Sequence, residues 1–170
     1  MEVKTTEKMV VMNRILFFLL LIVSCFSCSD DGAVFQQSVE LPISGWNKDS
    51  AAVFCFEATD TVGTYDVVVD LRNDGSYRYQ NFWLFVRSYS PDSSVYSDTL
   101  ECVLADNYGR WIGEGSGSLR HLPVMFLSEV KFPKCGTYSF ELTQGMREDC
   151  LQGIHDVGLR IMKSKQVDAQ

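Results

Sequence analysis

From residue 50 onwards the apolar residues of this chain alternate with polar ones and do not recur every three or four positions. That two-residue period belongs to strands with one face in a core. Tyr65, Val67, Val69 and Leu71 share a face, with Asp66 and Asp70 opposite. Asn73-Asp74-Gly75 then supplies the positive-φ residues of a tight turn. Phe82–Val86 is apolar on both faces, which predicts a central strand. Pro91–Ser94 turns the chain into a strand whose Leu100, Cys102 and Leu104 point inward, and glycines break the region around Trp111. Val124, Phe126, Val130 and Phe132 alternate with Met125, Leu127, Glu129 and Lys131. A turn at Pro133–Gly136 leads to Tyr138, Phe140 and Leu142, and Val157, Leu159 and Ile161 form the last strand. Seven to nine strands, with turns every dozen residues, predict an all-β, two-sheet antiparallel β-sandwich. Jelly-roll and Ig-like Greek-key connections both fit. A short helical turn is expected only around Gln144–Leu151.

The first residues follow a different pattern. Arg14 precedes nine apolar residues, Ile15–Val23, too few to span a bilayer, which takes about 20. The run fits the apolar part of a signal peptide, about 7–15 residues behind a positive charge. Two glutamates upstream are unusual there, so translation is expected to start at Met9 or Met12. Ile22-Val23-Ser24-Cys25 has the apolar-small-small-Cys form of a lipoprotein cleavage site. Cys28 is the alternative attachment point, followed by the polar Ser29-Asp30-Asp31-Gly32. The expected organisation is a signal peptide over 1–24 and a lipidated cysteine with flexible tether over 25–37. The β-sandwich domain follows over 38–163, then a polar tail over 164–170. Several acyl chains on one cysteine would make the membrane anchor effectively permanent.

Net charge is −7. Removing 1–24 takes away three positive charges (Lys4, Lys8, Arg14) and two negative ones (Glu2, Glu7), leaving −8. Such a surface repels phosphate backbones, and no basic cluster offsets it, which argues against nucleic acid. Cys55, Cys102, Cys135 and Cys150 are the possible disulfide cysteines of the domain, with three pairings open. Cys55 and Cys102 read first as small buried hydrophobes. No CxxC and no histidine at ligand spacing points to a metal, and no cofactor motif occurs.

Two histidines, His121 and His155, and no nucleophile elbow give no basis for an enzyme. Exposed aromatics on a sandwich can stack sugars. Trp46, Trp83, Trp111, Tyr77, Tyr79, Tyr89 and Tyr96 are candidates. The reading preferred here puts Trp83 in the core, Trp46 as a plug at one end, and Trp111 over a glycine-rich loop. Carbohydrate binding is thus the weaker alternative.

The ordered segments resemble the gliding-motility lipoprotein H (GldH) family of Bacteroidetes. They are Gly45–Asp49, Leu71–Asp74 with Tyr77, Tyr79, Asn81, Leu84 and Phe85, Asp98–Glu101, Ala105-Asp106, and Gly109-Arg110-Trp111 with Gly113 and Gly115. Phe132-Pro133, Gly136–Tyr138, Gln144, Met146-Arg147, Leu151, Gly153-Ile154 and Asp156–Arg160 complete the series. The resemblance implies a lipid-anchored envelope protein, most simply of the outer membrane, tied to gliding motility and type IX secretion. Its partners would be other envelope, motility or secretion proteins. It implies no enzyme activity and carries over no catalytic or ligand residues. Arg110, Trp111, Met146 and Arg147 are candidates for a partner-facing patch, since arginine and tryptophan are common binding anchors.

Overall fold

A computed structural model describes residues 32–115 and 117–165. The expected signal peptide, Cys25, Cys28 and the start site lie outside the described residues. The ten strands described are β1 (Ala33–Glu40), β2 (Trp46–Asn47), β3 (Ala52–Ala58), β4 (Tyr65–Asn73), β5 (Asn81–Tyr89), β6 (Val95–Val103), β7 (Arg120–Val130), β8 (Gly136–Gln144), β9 (Cys150–Leu151) and β10 (Ile154–Lys163). One sheet runs β1-β10-β4-β7 and the other β3-β8-β5-β6, with β2 and β9 forming a small extra pair. All pairings are antiparallel. Eight strands in two four-stranded sheets with this order make a jelly roll, which settles the topology that the sequence leaves open.

Alternation decides which side chains meet between the sheets. Val67, Val69 and Leu71 of β4 and Val157, Leu159 and Ile161 of β10 are fully buried on one side. Phe54, Phe82, Leu84, Phe140 and Leu142 face them from the other sheet. Each such side chain contributes roughly 1.5–3 kcal/mol when removed from water. Trp46 seals one end, its ring 5.9 Å from Phe82 and its Nε1 donating to Ser50 O at 2.8 Å.

Several expectations are corrected here. The sandwich begins at Ala33, so residues 33–37 belong to β1 and not to a tether. Phe35 packs edge-on against Phe56 at 5.8 Å. At the other terminus, Ser164 donates to Thr64 O at 3.0 Å and to Asp66 at 2.7 Å, continuing the fold into the expected tail. The stretch 145–149 is irregular, not helical. β5 does lie inside its sheet, but only one of its faces is covered. Trp83 and Phe85 point outward with 36% and 51% of their surfaces exposed, so Trp83 is not core. Cys102 is fully buried, whereas Cys55 lies exposed on the outer face of β3. Those two occupy opposite faces of a sheet and strands that are not neighbours, which excludes a bridge between them. All four described cysteines are free thiols.

Candidate functional site

The strand order puts four connections at one end of the sandwich: 41–51, 74–80, 104–119 and 145–153. Among the described residues, the opposite end holds the turns 59–64, 90–94 and 131–135, with the start of β1 and the end of β10. Most of the segments that carry the family resemblance fall in the first group. Phe132-Pro133 and Gly136–Tyr138 lie at the other end, and Asp98–Glu101 and Gly158–Arg160 within strands.

The four connections brace one another. Lys48 N donates to Asp149 O at 2.9 Å, and its Nζ pairs with the Asp149 carboxylate at 2.5 Å. Asp74 N donates to Gly153 O at 3.0 Å, while the Asp74 carboxylate holds His155 Nε2 at 2.7 Å. Tyr79 donates to Glu148 at 2.6 Å. The Gln80 carbonyl accepts from Leu104 N and Ala105 N at 2.7 and 3.0 Å, and Gln80 Nε2 donates to Asp106 O at 3.1 Å. Gln144 is buried and works in both directions: Nε2 donates to Glu148 O at 2.6 Å, and Oε1 accepts from Met146 N at 2.8 Å. A side-chain amide satisfied at both ends fixes the loop that follows it.

Two carboxylates at this end are held by fixed partners. Backbone N–H donation from Arg110, with its side chain and Tyr108 N adding to it, keeps the Asp106 carboxyl below the usual range. For Asp74, burial pushes upward, but the Ser76 hydroxyl and N–H together with His155 outweigh it, and its carboxyl is lowered. Burial raises the Tyr77 phenol, whose hydroxyl donates to Asn81 O at 2.7 Å.

The four predicted patch residues divide by depth. Arg110 and Arg147 are exposed, whereas Trp111 and Met146 are half-buried against the core. Trp111 bridges Ala105 across the β6–β7 loop, and Arg110 lies over the Tyr108 ring at 5.4 Å. Met146 Sδ accepts from Trp83 N at 3.4 Å, and Gly145 N donates to Trp83 O at 2.7 Å. Met146-Arg147 therefore braces against the start of β5 and Arg110-Trp111 against its own β6–β7 loop, each arginine being exposed. Tyr108, Ile112 and Ile43 are large apolar side chains exposed in the same connections.

Sequence reasoning assigned no role to Asp70, Asp156 or Arg160 in the polar network on the outer face of the first sheet. There Asp156 accepts from Arg72 Nε at 2.5 Å and Ser38 Oγ at 3.1 Å. Asp70 holds both Arg160 and His121 at 3.0 Å. The only signal was a charged residue at three of the four outward positions of β4, Asp66, Asp70 and Arg72, which strand periodicity alone reads as solvent-facing. Ser76 Oγ bonds the Asp74 carboxylate at 2.6 Å rather than His155. Among the described residues, no group of three or more His, Cys, Asp or Glu is placed to hold a metal ion.

The model of the GldH lipoprotein family matches residues 33–161. The gliding motility lipoprotein GldH homolog of Christiangramia forsetii is 33% identical over 155 residues, covering 87% of this chain and 94% of its own. The gliding motility lipoprotein GldH of Flavobacterium johnsoniae is 32% identical over 150 residues, covering 84% and 92%. A structure of infectious bursal disease virus, Gt strain, aligns at 12% identity and a TM-score of 0.33, over 76% of this chain and 30% of that one. That likeness is too low to bear on fold or function.

Proposed function

The chain belongs to the GldH lipoprotein family, and from that premise we propose a non-enzymatic component of the bacterial envelope that serves gliding motility. It is anchored by lipid on Cys25, with Cys28 as the alternative, most simply in the outer membrane. The loop end is the face offered to protein partners of the motility or type IX secretion apparatus.

One observation carries this reading. The connections holding Gly45–Asp49, Tyr77, Gly109–Trp111 and Met146-Arg147 gather at one end, while β1 starts at the other. Cys25 precedes Ala33 by only eight positions, which is at most about 29 Å of extended chain. The described chain enters the sandwich at the end that lacks those connections, which leaves the loop end clear for a partner. Metabolic labelling with clickable palmitate tests the anchor, expecting label that Cys25→Ser abolishes. Co-purification of the tagged protein with motility or secretion proteins tests the function.

A second reading, carbohydrate binding, is favoured by the outward exposure of Trp83 and Phe85 side by side on β5. Retention on a polysaccharide that Trp83→Ala abolishes, without co-purifying motility proteins, would establish it instead.

A further inference from the structure

The apolar alternation of the second sheet fails at two neighbouring inward positions. Phe82, Leu84 and Val86 are buried along β5, but the next residue on that face is Ser88. Ser88 registers between Phe140 of β8 and Tyr96 of β6. Beside it, Val86 registers with Asp98, an acid where a core side chain is expected. Opposite, two register shifts in β7 between Val124 and Val130 bend that strand. Small residues on one wall and a bent strand on the other leave a cleft between β6 and β7. Its volume is about 500 Å³, within the range of small-ligand pockets. Val86, Phe126, Val130, Phe132 and Phe140 make it apolar inside.

The mouth is charged with both signs. Asp98 stands on the β6 side and Lys131 just past β7, both lining the opening. Neither takes part in an ion pair among the described residues. An apolar slot between two sheets, with one cation and one anion at its entrance, is complementary to a particular ligand chemistry. It suits a single acyl chain carrying a zwitterionic phosphate–ammonium head. We propose that the β6–β7 cleft binds one single-chain zwitterionic phospholipid, the acyl chain inside, the phosphate on Lys131 and the ammonium on Asp98. A cleft of about 500 Å³ is of the order that one acyl chain requires. This goes beyond the functional reading above and does not depend on the covalent anchor.

The test uses the full chain with Cys25→Ser and Cys28→Ser, purified free of lipid. It is titrated below micellar concentration with lysophosphatidylethanolamine bearing a polyene acyl chain, which fluoresces only out of water. Saturation at one lipid per chain is expected. Ser88→Trp, which fills the slot, should weaken binding at least tenfold with an unchanged circular dichroism spectrum and melting point. Lys131→Glu should weaken the zwitterionic lipid severalfold, and Asp98→Lys should shift preference towards a free fatty acid. If Ser88→Trp fails to fold, Lys131→Glu and Asp98→Lys still locate the binding, and unchanged affinity for lysophosphatidylethanolamine in both overturns the proposal. Absence of saturable binding, or binding insensitive to Ser88→Trp in a folded protein, overturns the proposal. Equal affinity for a free fatty acid in the parent overturns the role of the charged mouth.

Discussion

The carboxylate of Asp106 closes the β6–β7 loop upon Arg110. Its Oδ1 accepts the backbone N–H of Arg110 at 2.9 Å, and its Oδ2 accepts Arg110 Nε at 2.8 Å. The return bond, Asp106 N to Arg110 O at 2.9 Å, makes the connection reciprocal. The guanidinium of an exposed arginine is thereby held in one orientation, a condition for binding a partner without a large ordering cost. Asp106→Ala should release it. The melting temperature should fall only modestly, because the ion pair and the two backbone N–H bonds lost are exposed. Recovery of partner proteins on pull-down should fall severalfold, and a variant that captures partners as well as the parent would remove this loop from the interface.

Gly153 reports on the packing of the loop end. It has φ +85°, and a Cβ there would lie 2.6 Å from Tyr77 Cα. Gly153→Ala should therefore cost about 1–3 kcal/mol in urea unfolding, from backbone strain with steric displacement of Tyr77 added. Gly75, which meets nothing within 4 Å and has no positive φ, serves as the control. Gly75→Ala should be close to neutral.

Acid should loosen the same end. Asp74 is held below its ordinary value in the folded chain, so its contribution is complete above the unfolded carboxylate value of about 3.9. That contribution is lost as pH falls through the lower folded value. The melting temperature followed from pH 6 to pH 2 should decline below about pH 4. The decline should be shallower in Asp74→Asn.

Alkaline solution should act through Cys102. Burial first, and then the neighbouring Glu101, push its thiol up to about 12. Its stabilisation is full below the unfolded thiol value of about 8.5 and fades as pH rises towards the folded one. Under reducing conditions, iodoacetamide should modify Cys55, Cys135 and Cys150 in the native protein and Cys102 only on unfolding. Native labelling of Cys102 at the same rate as the others would contradict its burial.

The fold was legible wherever a strand buries one face and exposes polar residues on the other, as in β4, β8 and β10. It misled at β5. Trp83 and Phe85 look like core because they are aromatic, yet an interior strand of an antiparallel sheet can leave one face in water. β1 was hidden for the opposite reason. Gln36 and Gln37 on an edge strand resemble a tether, and of β1 only Phe35 and Val39 pack against the core. The loop end was visible in its ordered motifs but not in its geometry, since Lys48–Asp149 and Asp74–His155 join residues 101 and 81 positions apart. The cleft had a signal that went unread. Ser88 and Asp98 break an otherwise apolar inward row.

The most direct test of the central claim places a photo-crosslinking residue in the living host at Arg147, in the loop end, and at Val62, exposed in a turn at the opposite end. The loop-end position should capture a discrete envelope protein that is absent from the Val62 sample. Capture of that protein from Val62 and not from Arg147 would contradict the account.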